Sequence, residues 1–318
     1  MNIDFTVLLP VLIAFAISVI LSPIVIPFLK KLKFGQFVRE EGPESHLKKS
    51  GTPTMGGLII LCSLVITALL YVRTNKNILP ILFVTLGFGL IGFLDDYIKV
   101  VMKRSMGLRA WQKMLGQIVV TGVFAYYMVE KTALGTSLIL PFAGNSIDVG
   151  KWYVPILFFV VLGTVNGANF TDGLDGLASS VTVLIVTFFT VVAIGTQAGI
   201  APITCAAVGS LLGFLVYNVY PARVFMGDTG SLALGGLVAS TAYVLRMPLF
   251  IPIVAFIYFI EVASVIIQVA SFKLTGKRVF KMAPIHHHFE LCNWPETKVV
   301  SIFSIVTAML CLVGLLAL

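Results

Sequence analysis

The chain has few charged residues. Only 11% of its 318 residues are Asp, Glu, Lys or Arg, whereas about a quarter of an average soluble domain is charged. With 58% apolar residues and a mean hydropathy of +1.02, the composition excludes an ordinary soluble enzyme. It also excludes a disordered chain, which requires low hydrophobicity and high charge. The four cysteines show no Cys-X-X-Cys spacing, so neither a zinc site nor a disulfide framework is indicated.

Ten apolar runs approach the length of about 20 residues that a helix needs to cross a bilayer. The runs cover roughly residues 5–29, 57–72, 78–94, 112–129, 153–168, 177–195, 200–217, 232–245, 249–270 and 299–318. They are apolar on all sides rather than alternating, which favours helices over a membrane barrel. The sequence therefore predicts an all-α polytopic membrane protein with about ten transmembrane helices in a single domain, residues 1–318.

The basic residues are divided unevenly between the two sides of these runs. Of the 22 Lys and Arg, 17 lie in or beside the loops that follow runs one, three, seven and nine. Lys and Arg mark cytoplasmic loops, so both termini are expected on the extracytoplasmic side. The first run has no basic leader and no small-residue cleavage site after it, and it is expected to be a retained helix rather than a signal peptide.

Ten of the 14 acidic residues fall on the predicted cytoplasmic face. Charge in hydrocarbon is costly, so acids at the membrane edge generally have a function. Asp95 and Asp96 are adjacent at the inner end of the third run, where they repel each other unless a cation lies near them. The alternative is a solvated pair that caps the span.

Two further acidic motifs lie on the same face. The segment NGANFTDGLDG carries Asn169, Asp172 and Asp175, and the three-residue spacing puts both carboxylates on one side of a helical turn. Such a turn exposes N–H groups to the polar edges of a nucleotide. Asp228, in NVYPARVFMGDTGS, is a hard oxygen donor of the kind that Mg²⁺ prefers. The alternative at both motifs is a helix N-cap, which explains only one of Asp172 and Asp175.

Three further polar features remain: a histidine cluster, a basic loop and one acidic residue at mid-span. Adjacent His286, His287 and His288 cannot all reach one ion from a regular helix, so binding of phosphate or carboxylate fits them better than a zinc site. The loop GPESHLKKSGTPTMGG adds two lysines, hydroxyls and turn glycines before the second run, and taken alone it favours a generic basic cytoplasmic loop. Glu261 is the only acid at mid-span, and a hydrogen-bonded acid inside the bundle explains it as well as a functional role does.

Taken together, Asp, Lys, His and Asn side chains from five loops converge on one predicted face. This mixture favours Mg²⁺-dependent chemistry on phosphates. A transporter is the alternative from another class, and it would place its polar residues near mid-membrane on broken helices.

At these motifs the sequence resembles the phospho-N-acetylmuramoyl-pentapeptide transferases, a branch of the polyprenyl-phosphate N-acetylhexosamine-1-phosphate transferase superfamily. The resemblance runs over essentially the whole chain, from GPESHLKKSGTPTMGG through GFLDDYIK, NFTDGLDGL and NVYPARVFMGDTGS to APIHHHFE. The sister enzymes that use UDP-N-acetylglucosamine share the Asp motifs, and the triple-His segment argues against them.

The resemblance implies an activity. Phospho-N-acetylmuramoyl-pentapeptide (phospho-MurNAc-pentapeptide) would move from its UDP carrier, UDP-MurNAc-pentapeptide, to undecaprenyl phosphate, giving UMP and lipid I in the first membrane step of peptidoglycan synthesis. It further implies Mg²⁺ as cofactor, a homodimer, no nucleic-acid partner, and a location in the bacterial plasma membrane with the active site facing the cytoplasm.

The resemblance also implies roles for individual residues. Asp228 is expected to be the principal Mg²⁺ ligand, and Asp95, in preference to Asp96, to orient or deprotonate the acceptor phosphate. A phosphate monoester loses its second proton near pH 6, so direct in-line attack is expected rather than an aspartyl-phosphate intermediate. The expected catalytic residues are Asp95, Asp96, Asp228 and His286. The expected substrate-binding residues are Lys48, Thr52, Thr54, Lys113, Asn169, Asp172, Asp175, Asn218, Phe225, His287 and His288. The resemblance does not separate the role of Lys48 from that of Lys49.

Overall fold

The computed structural model describes residues 5–31, 49, 51–102 and 107–318, with the backbone alone for residues 5–7. These residues form twelve α-helices and one two-stranded antiparallel hairpin. The helices are α1 (Phe5–Lys31), α2 (Gly57–Tyr71), α3 (Ile78–Val100), α4 (Ala110–Glu130), α5 (Tyr153–Thr171), α6 (Leu177–Gly195), α7 (Ala201–Asn218), α8 (Gly227–Val244), α9 (Ile251–Val254), α10 (Phe256–Thr275), α11 (Ile285–Glu290) and α12 (Glu296–Leu316). The strands are β1 (Ser137–Ile139) and β2 (Ser146–Asp148).

Each of the ten predicted runs coincides with helical structure, and the all-α membrane architecture is confirmed. Among the described residues, seven helices are long and apolar enough to cross a membrane, namely α1, α3, α5, α6, α7, α10 and α12. Helix α2 is apolar but only 15 residues long, while α4 and α8 carry more polar residues. The count of ten spans and the orientation of the termini stay predictions.

Helix α8 lies at the centre of the bundle, and every residue from Thr229 to Val244 is buried. Small residues allow its neighbours to approach closely. A Cβ atom on Gly236 would lie 2.6 Å from Phe88 of α3, and one on Gly235 would lie 2.5 Å from Val165 of α5. Such close packing of small residues stabilises helix pairs in membranes. The modest hydropathy of α8 follows from this position, because the helix faces protein rather than lipid.

The ninth predicted run, 249–270, is interrupted. Helix α9 ends at Val254, Ala255 has φ −106° and ψ 33°, and α10 then runs from Phe256 to a left-handed Gly276 that ends it. Glu261 lies on α10, after the interruption, and is completely buried.

A hairpin covers the end of the bundle where α4 ends and α5 begins. The all-α prediction includes no strands in this loop. Its strand β1 is attached to the end of α8, because Ile139 N–H donates to the carbonyl of Arg246 (2.8 Å) and Arg246 Nε donates to the carbonyl of Ser137 (3.1 Å). The predicted site residues lie at the opposite end of α8.

Candidate active site

Two close backbone contacts bring α2 and α3 against the first turn of α8. A Cβ atom on Gly92 would lie 2.0 Å from the carbonyl oxygen of Asp228, and one on Gly57 would lie 2.2 Å from the backbone nitrogen of Gly230. Only glycine permits these approaches. Asp95 and Asp96, one turn beyond Gly92, are consequently held beside the start of α8.

Asp96 caps the N-terminus of α8 from the neighbouring helix. Its Oδ1 accepts a hydrogen bond from the N–H of Asp228 (3.2 Å), and its Oδ2 accepts from the N–H (2.9 Å) and the hydroxyl (2.6 Å) of Thr229. A carboxylate in this position satisfies N–H groups that have no partner within the helix, and it complements the helix dipole. The carboxylate of Asp228 makes no capping hydrogen bond to α8, its own helix. It is therefore available for other partners.

Asp228 is held by two lysines and an amide. Its Oδ2 accepts from Nζ of Lys113 (3.0 Å) and of Lys99 (3.1 Å), and its Oδ1 accepts from Nδ2 of Asn169 (2.8 Å). Burial by itself would raise the pKa of Asp228, but the charges of Lys113 and Lys99 hold the pKa below its ordinary range. The carboxylate is therefore ionised at neutral pH.

Asp95, Asp96 and Asp228 form a cluster in which one oxygen of each lies within 4.8 Å of the others. Asp95 Oδ1 accepts from the N–H of Leu108 (2.7 Å), and its Oδ2 lies 2.5 Å from Nζ of Lys99. Carboxylate oxygens are the ligands that Mg²⁺ takes in proteins, usually completed by substrate phosphates and water. The donor set therefore fits a divalent cation.

Asp172 and Asp175, although three residues apart, have different surroundings. Burial, followed by the negative charges of Asp228 and Asp96, raises the pKa of Asp172 well above its ordinary value. Asp172 therefore belongs electrostatically to the carboxylate cluster, and substrate or cation charge placed there would affect its protonation.

Asp175 is instead occupied by internal partners. Its Oδ1 accepts from Nζ of Lys49 (2.7 Å), and its Oδ2 accepts from the N–H of Ala222 (2.9 Å). Glu296 Oε1 accepts from both Lys49 Nζ and the N–H of Asp175, each at 2.6 Å. Burial alone would lower the pKa of Lys49, but the hydrogen bonds to Asp175 and Glu296 raise it. This network joins three loops to the start of α12.

Asn218 is likewise used internally. It is buried, its Oδ1 accepts from the hydroxyl of Ser179 (3.0 Å), and its Nδ2 donates to the carbonyl of Val224 (2.9 Å). Its side chain therefore holds the segment that leads into α8.

The segment before α2 pairs with the segment before α8. Phe225 N–H donates to the carbonyl of Pro53, and Gly56 N–H donates to the carbonyl of Phe225, both at 2.8 Å. Phe225 and Thr52 are half-buried, and Thr54 is buried beside the first residue of α8. Lys48 lies outside the described residues.

The three histidines of α11 have separate partners. His286 is 1% exposed, and its Nδ1 lies 3.1 Å from Oε1 of Glu261. His287 Nδ1 lies 2.7 Å from Oε2 of Glu290, and His288 Nδ1 accepts from the N–H of Lys281 (3.1 Å). The rings of His286 and His287 lie 4.1 Å apart, but among the described residues the three histidines do not form a group that could hold a metal ion.

The structure thus brings most of the expected residues to one end of the bundle, in three groups. The first is the carboxylate cluster with Lys113, Asn169 and Asp172. The second surrounds Asp175, and the third surrounds His286. Sequence reasoning missed Lys99, Glu296 and Gly173. The spacing of Asp95 and Lys99, four residues apart on one helix, is a signal that could have identified Lys99.

Apolar spanning helices and an ionised carboxylate–lysine cluster at one end of the bundle define an integral-membrane enzyme of the kind that handles charged substrates at the membrane edge. Residues 78–246 match the family model described as glycosyl transferase family 4, and residues 49–61 match phospho-N-acetylmuramoyl-pentapeptide-transferase signature 1.

Two relatives carry the same name. The chain is 53% identical over 318 residues to the phospho-N-acetylmuramoyl-pentapeptide-transferase of Clostridium botulinum (strain Alaska E43 / Type E3), covering 98% of this chain and 97% of that protein. It is 51% identical over 310 residues to that of Clostridium kluyveri (strain ATCC 8527), covering 97% of this chain and 98% of that protein. The chain belongs to the phospho-N-acetylmuramoyl-pentapeptide-transferase family.

Proposed function

We propose that the protein transfers phospho-MurNAc-pentapeptide from UDP-MurNAc-pentapeptide to undecaprenyl phosphate, releasing UMP and forming lipid I. The observation that carries this proposal is the convergence of Asp95, Asp96 and Asp228 with Lys99 and Lys113 at one end of a membrane bundle. The relatives' name and their identity over nearly the full chain support the choice of substrates.

In the proposed reaction, an oxygen of undecaprenyl phosphate attacks the phosphorus that carries the sugar. The bond from that phosphorus to the bridging oxygen breaks, and the oxygen leaves with UMP. Asp95 orients the acceptor or accepts its remaining proton. Deprotonation by Asp95 contributes little to the rate, because most of the acceptor phosphate is already dianionic at neutral pH.

Asp228 is the proposed principal ligand of Mg²⁺, with Asp95 and Asp96 beside it. When bound, the ion supplies charge stabilisation for the leaving phosphate. Lys113, whose Nζ also donates to Asn169 Oδ1 (3.2 Å), offers positive charge to the two anionic reactants. Lys99 keeps Asp95 and Asp228 close together in spite of their like charges.

The nucleotide is proposed to bind along the Asn169–Asp175 loop. Asn169 and Asp172 face the carboxylate cluster, and the half-buried ring of Phe225 offers a surface on which uracil can stack. Thr52, Thr54 and Lys48 belong to the segment beside Phe225. Because the side chains of Asp175 and Asn218 have internal partners, they are proposed to hold this pocket in shape.

The sugar and peptide are proposed to bind nearer to His287 and His288. The site is proposed to face the cytoplasm of a bacterial cell, supported by the placement of most basic residues on that side. A homodimer is proposed from the family resemblance alone.

The decisive experiment supplies the purified protein with undecaprenyl phosphate and either UDP-MurNAc-pentapeptide or UDP-N-acetylglucosamine, with and without Mg²⁺. We expect UMP and lipid I when UDP-MurNAc-pentapeptide is supplied with Mg²⁺. We expect no product from UDP-N-acetylglucosamine, and none without the cation. A product from UDP-N-acetylglucosamine would instead identify the sister activity. Flux across reconstituted vesicles without UMP release would identify a transporter.

A further inference from the structure

Glu261 is a completely buried acid that the proposed reaction does not use. Its Oε1 lies 3.1 Å from Nδ1 of His286, and both side chains are at most 1% exposed. Among the described residues, Glu261 Oε2 and His286 Nε2 have no hydrogen-bond partner. A carboxylate buried without a partner is strongly unfavourable. The contact between Glu261 and His286 therefore compensates the burial of both groups.

The opposite edge of the His286 ring lies against Gly173 in the Asn169–Asp175 loop. A Cβ atom on Gly173 would lie 2.1 Å from His286 Nε2 and 2.6 Å from its Cε1. Gly173 is flanked by Asp172, which faces the carboxylate cluster, and it lies two residues before Asp175. A continuous line of contact thus runs from α10, through the imidazole of His286, to the backbone of the loop.

We propose that Glu261 is a positioning residue. By accepting a hydrogen bond from Nδ1 of His286, it fixes the imidazole beneath Gly173 and thereby sets the position of the Asn169–Asp175 loop. This assignment rests on the proposed function, because it takes the nucleotide as the ligand of that loop. It gives His286 a supporting role under the loop in place of the direct contact with reactants that the family resemblance implied.

Substitutions at Glu261 separate positioning from bulk packing. Glu261→Ala leaves His286 without an acceptor, and loss of a buried hydrogen bond of this kind corresponds to about a tenfold effect. Because the loop binds nucleotide, we expect KM for UDP-MurNAc-pentapeptide to rise about tenfold and kcat to change less. Glu261→Gln retains an acceptor oxygen for Nδ1–H and is expected to restore most of the affinity.

Gly173→Ala tests the contact from the other side of the ring. The added Cβ collides with the imidazole, so this variant is expected to raise KM in the same way. The matched control is Gly163→Ala on α5, where the added Cβ would meet no atom of another described segment within 4 Å. Ser264→Ala controls for loss of a buried polar group on α10, because its hydroxyl donates to the backbone carbonyl of Glu261 and not to the Glu261 side chain. Both controls are expected to keep the wild-type KM.

A double-mutant cycle completes the test. If Glu261 acts through His286, then Glu261→Ala added to His286→Ala will raise KM no further than His286→Ala alone. Additive effects, or a wild-type KM in both Glu261→Ala and Gly173→Ala, would overturn the proposal. If Glu261→Ala does not fold, the test uses Glu261→Gln and Gly173→Ala, both checked by size-exclusion profile. The proposal then requires a raised KM in Gly173→Ala and a KM near that of the wild type in Glu261→Gln. Absence of turnover in the wild type would overturn the proposed function itself. An unchanged KM in Glu261→Ala and Gly173→Ala, with normal turnover in the wild type, would overturn only the positioning role.

Discussion

Asp96 on α3 accepts hydrogen bonds from both the N–H and the hydroxyl of Thr229 on α8, at 2.9 and 2.6 Å. These two residues are 133 positions apart in the chain. Their contact fixes the end of α3 to the start of α8, and so it fixes Asp95 and Asp228 relative to each other. The carboxylate cluster is therefore held by two central helices rather than by flexible loops.

Loss of the Asp96 cap should destabilise the protein. Asp96→Ala leaves the first N–H groups of α8 without an acceptor, and removal of a helix cap costs about 1–2 kcal/mol. We expect a lower thermal midpoint in detergent together with reduced UMP release. Thr229→Ala removes only the hydroxyl and keeps the backbone bond, so its midpoint should fall less. Equal midpoints for wild type and Asp96→Ala would contradict the capping role.

The charge on Asp228 should be essential for turnover. Asp228→Asn keeps the shape of the side chain but removes the ionised ligand, and we expect UMP release to fall by about 100-fold or more. Membrane insertion and the size-exclusion profile should be unchanged. Wild-type activity with ordinary dependence on Mg²⁺ in this variant would remove the assignment of Asp228 as the principal ligand.

The approach of α3 to α8 at Gly92 should tolerate no side chain. In Gly92→Ala the Cβ would lie 2.0 Å from the carbonyl oxygen of Asp228, so the helices must separate and the carboxylate cluster must open. We expect a clear loss of activity, measured as initial rates of UMP release. Gly122→Ala on α4 is the matched control, because its nearest neighbour would be 3.7 Å away. Similar rates in the two variants would show that the approach is not needed.

Lys49 should stabilise the fold through Asp175 and Glu296. Removing one partner from a fully buried ionic network costs about 3 kcal/mol; because Lys49 and Glu296 are partly buried, Lys49→Met is expected to cost less than this and still to lower the thermal midpoint. Lys131→Met, at an exposed position, should change stability by less than about 0.5 kcal/mol.

The pH dependence of this contribution follows from the raised pKa of Lys49. A group whose pKa is raised in the folded state contributes fully below its ordinary pKa of 10.5 and loses the contribution as pH rises through the folded value. The midpoint difference between wild type and Lys49→Met should therefore be constant between about pH 7 and 9. A difference that disappears within that range would contradict the raised pKa.

Orientation can be tested by cysteine labelling. Replacing the four native cysteines, all free, provides a background for Asn145→Cys in the hairpin segment and Arg223→Cys near the carboxylate cluster. Both positions are exposed. A maleimide that cannot cross membranes should label Asn145→Cys in intact cells and Arg223→Cys only after permeabilisation. The reverse pattern would place the active site outside and contradict the charge-based orientation.

Many residues of the site could be predicted from the sequence, but the side chains and backbone groups that they contact could not. Asp95, Asp96 and Asp228 were expected near a cation, and they do lie together. Asp175 is predicted to contact substrate, and the structure adds that its carboxylate accepts hydrogen bonds from Lys49 and Ala222, partners that the sequence does not reveal. The interruption at Ala255 was not predicted either, because no proline or glycine occupies the position where the helix breaks.

The amino-acid sequence by itself determined the class of this protein. Hydropathy and charge act locally along the chain, so the apolar runs already specify helices in a membrane, and the short acidic motifs already mark where chemistry can occur. Only the tertiary structure decided which side chains pair. The cap that Asp96 provides to α8, the binding of Lys49 to Asp175 and the burial of His286 between Glu261 and Gly173 all join distant segments. Such contacts depend on how closely the helices pack, and that is set by glycines whose neighbours lie far away in the chain.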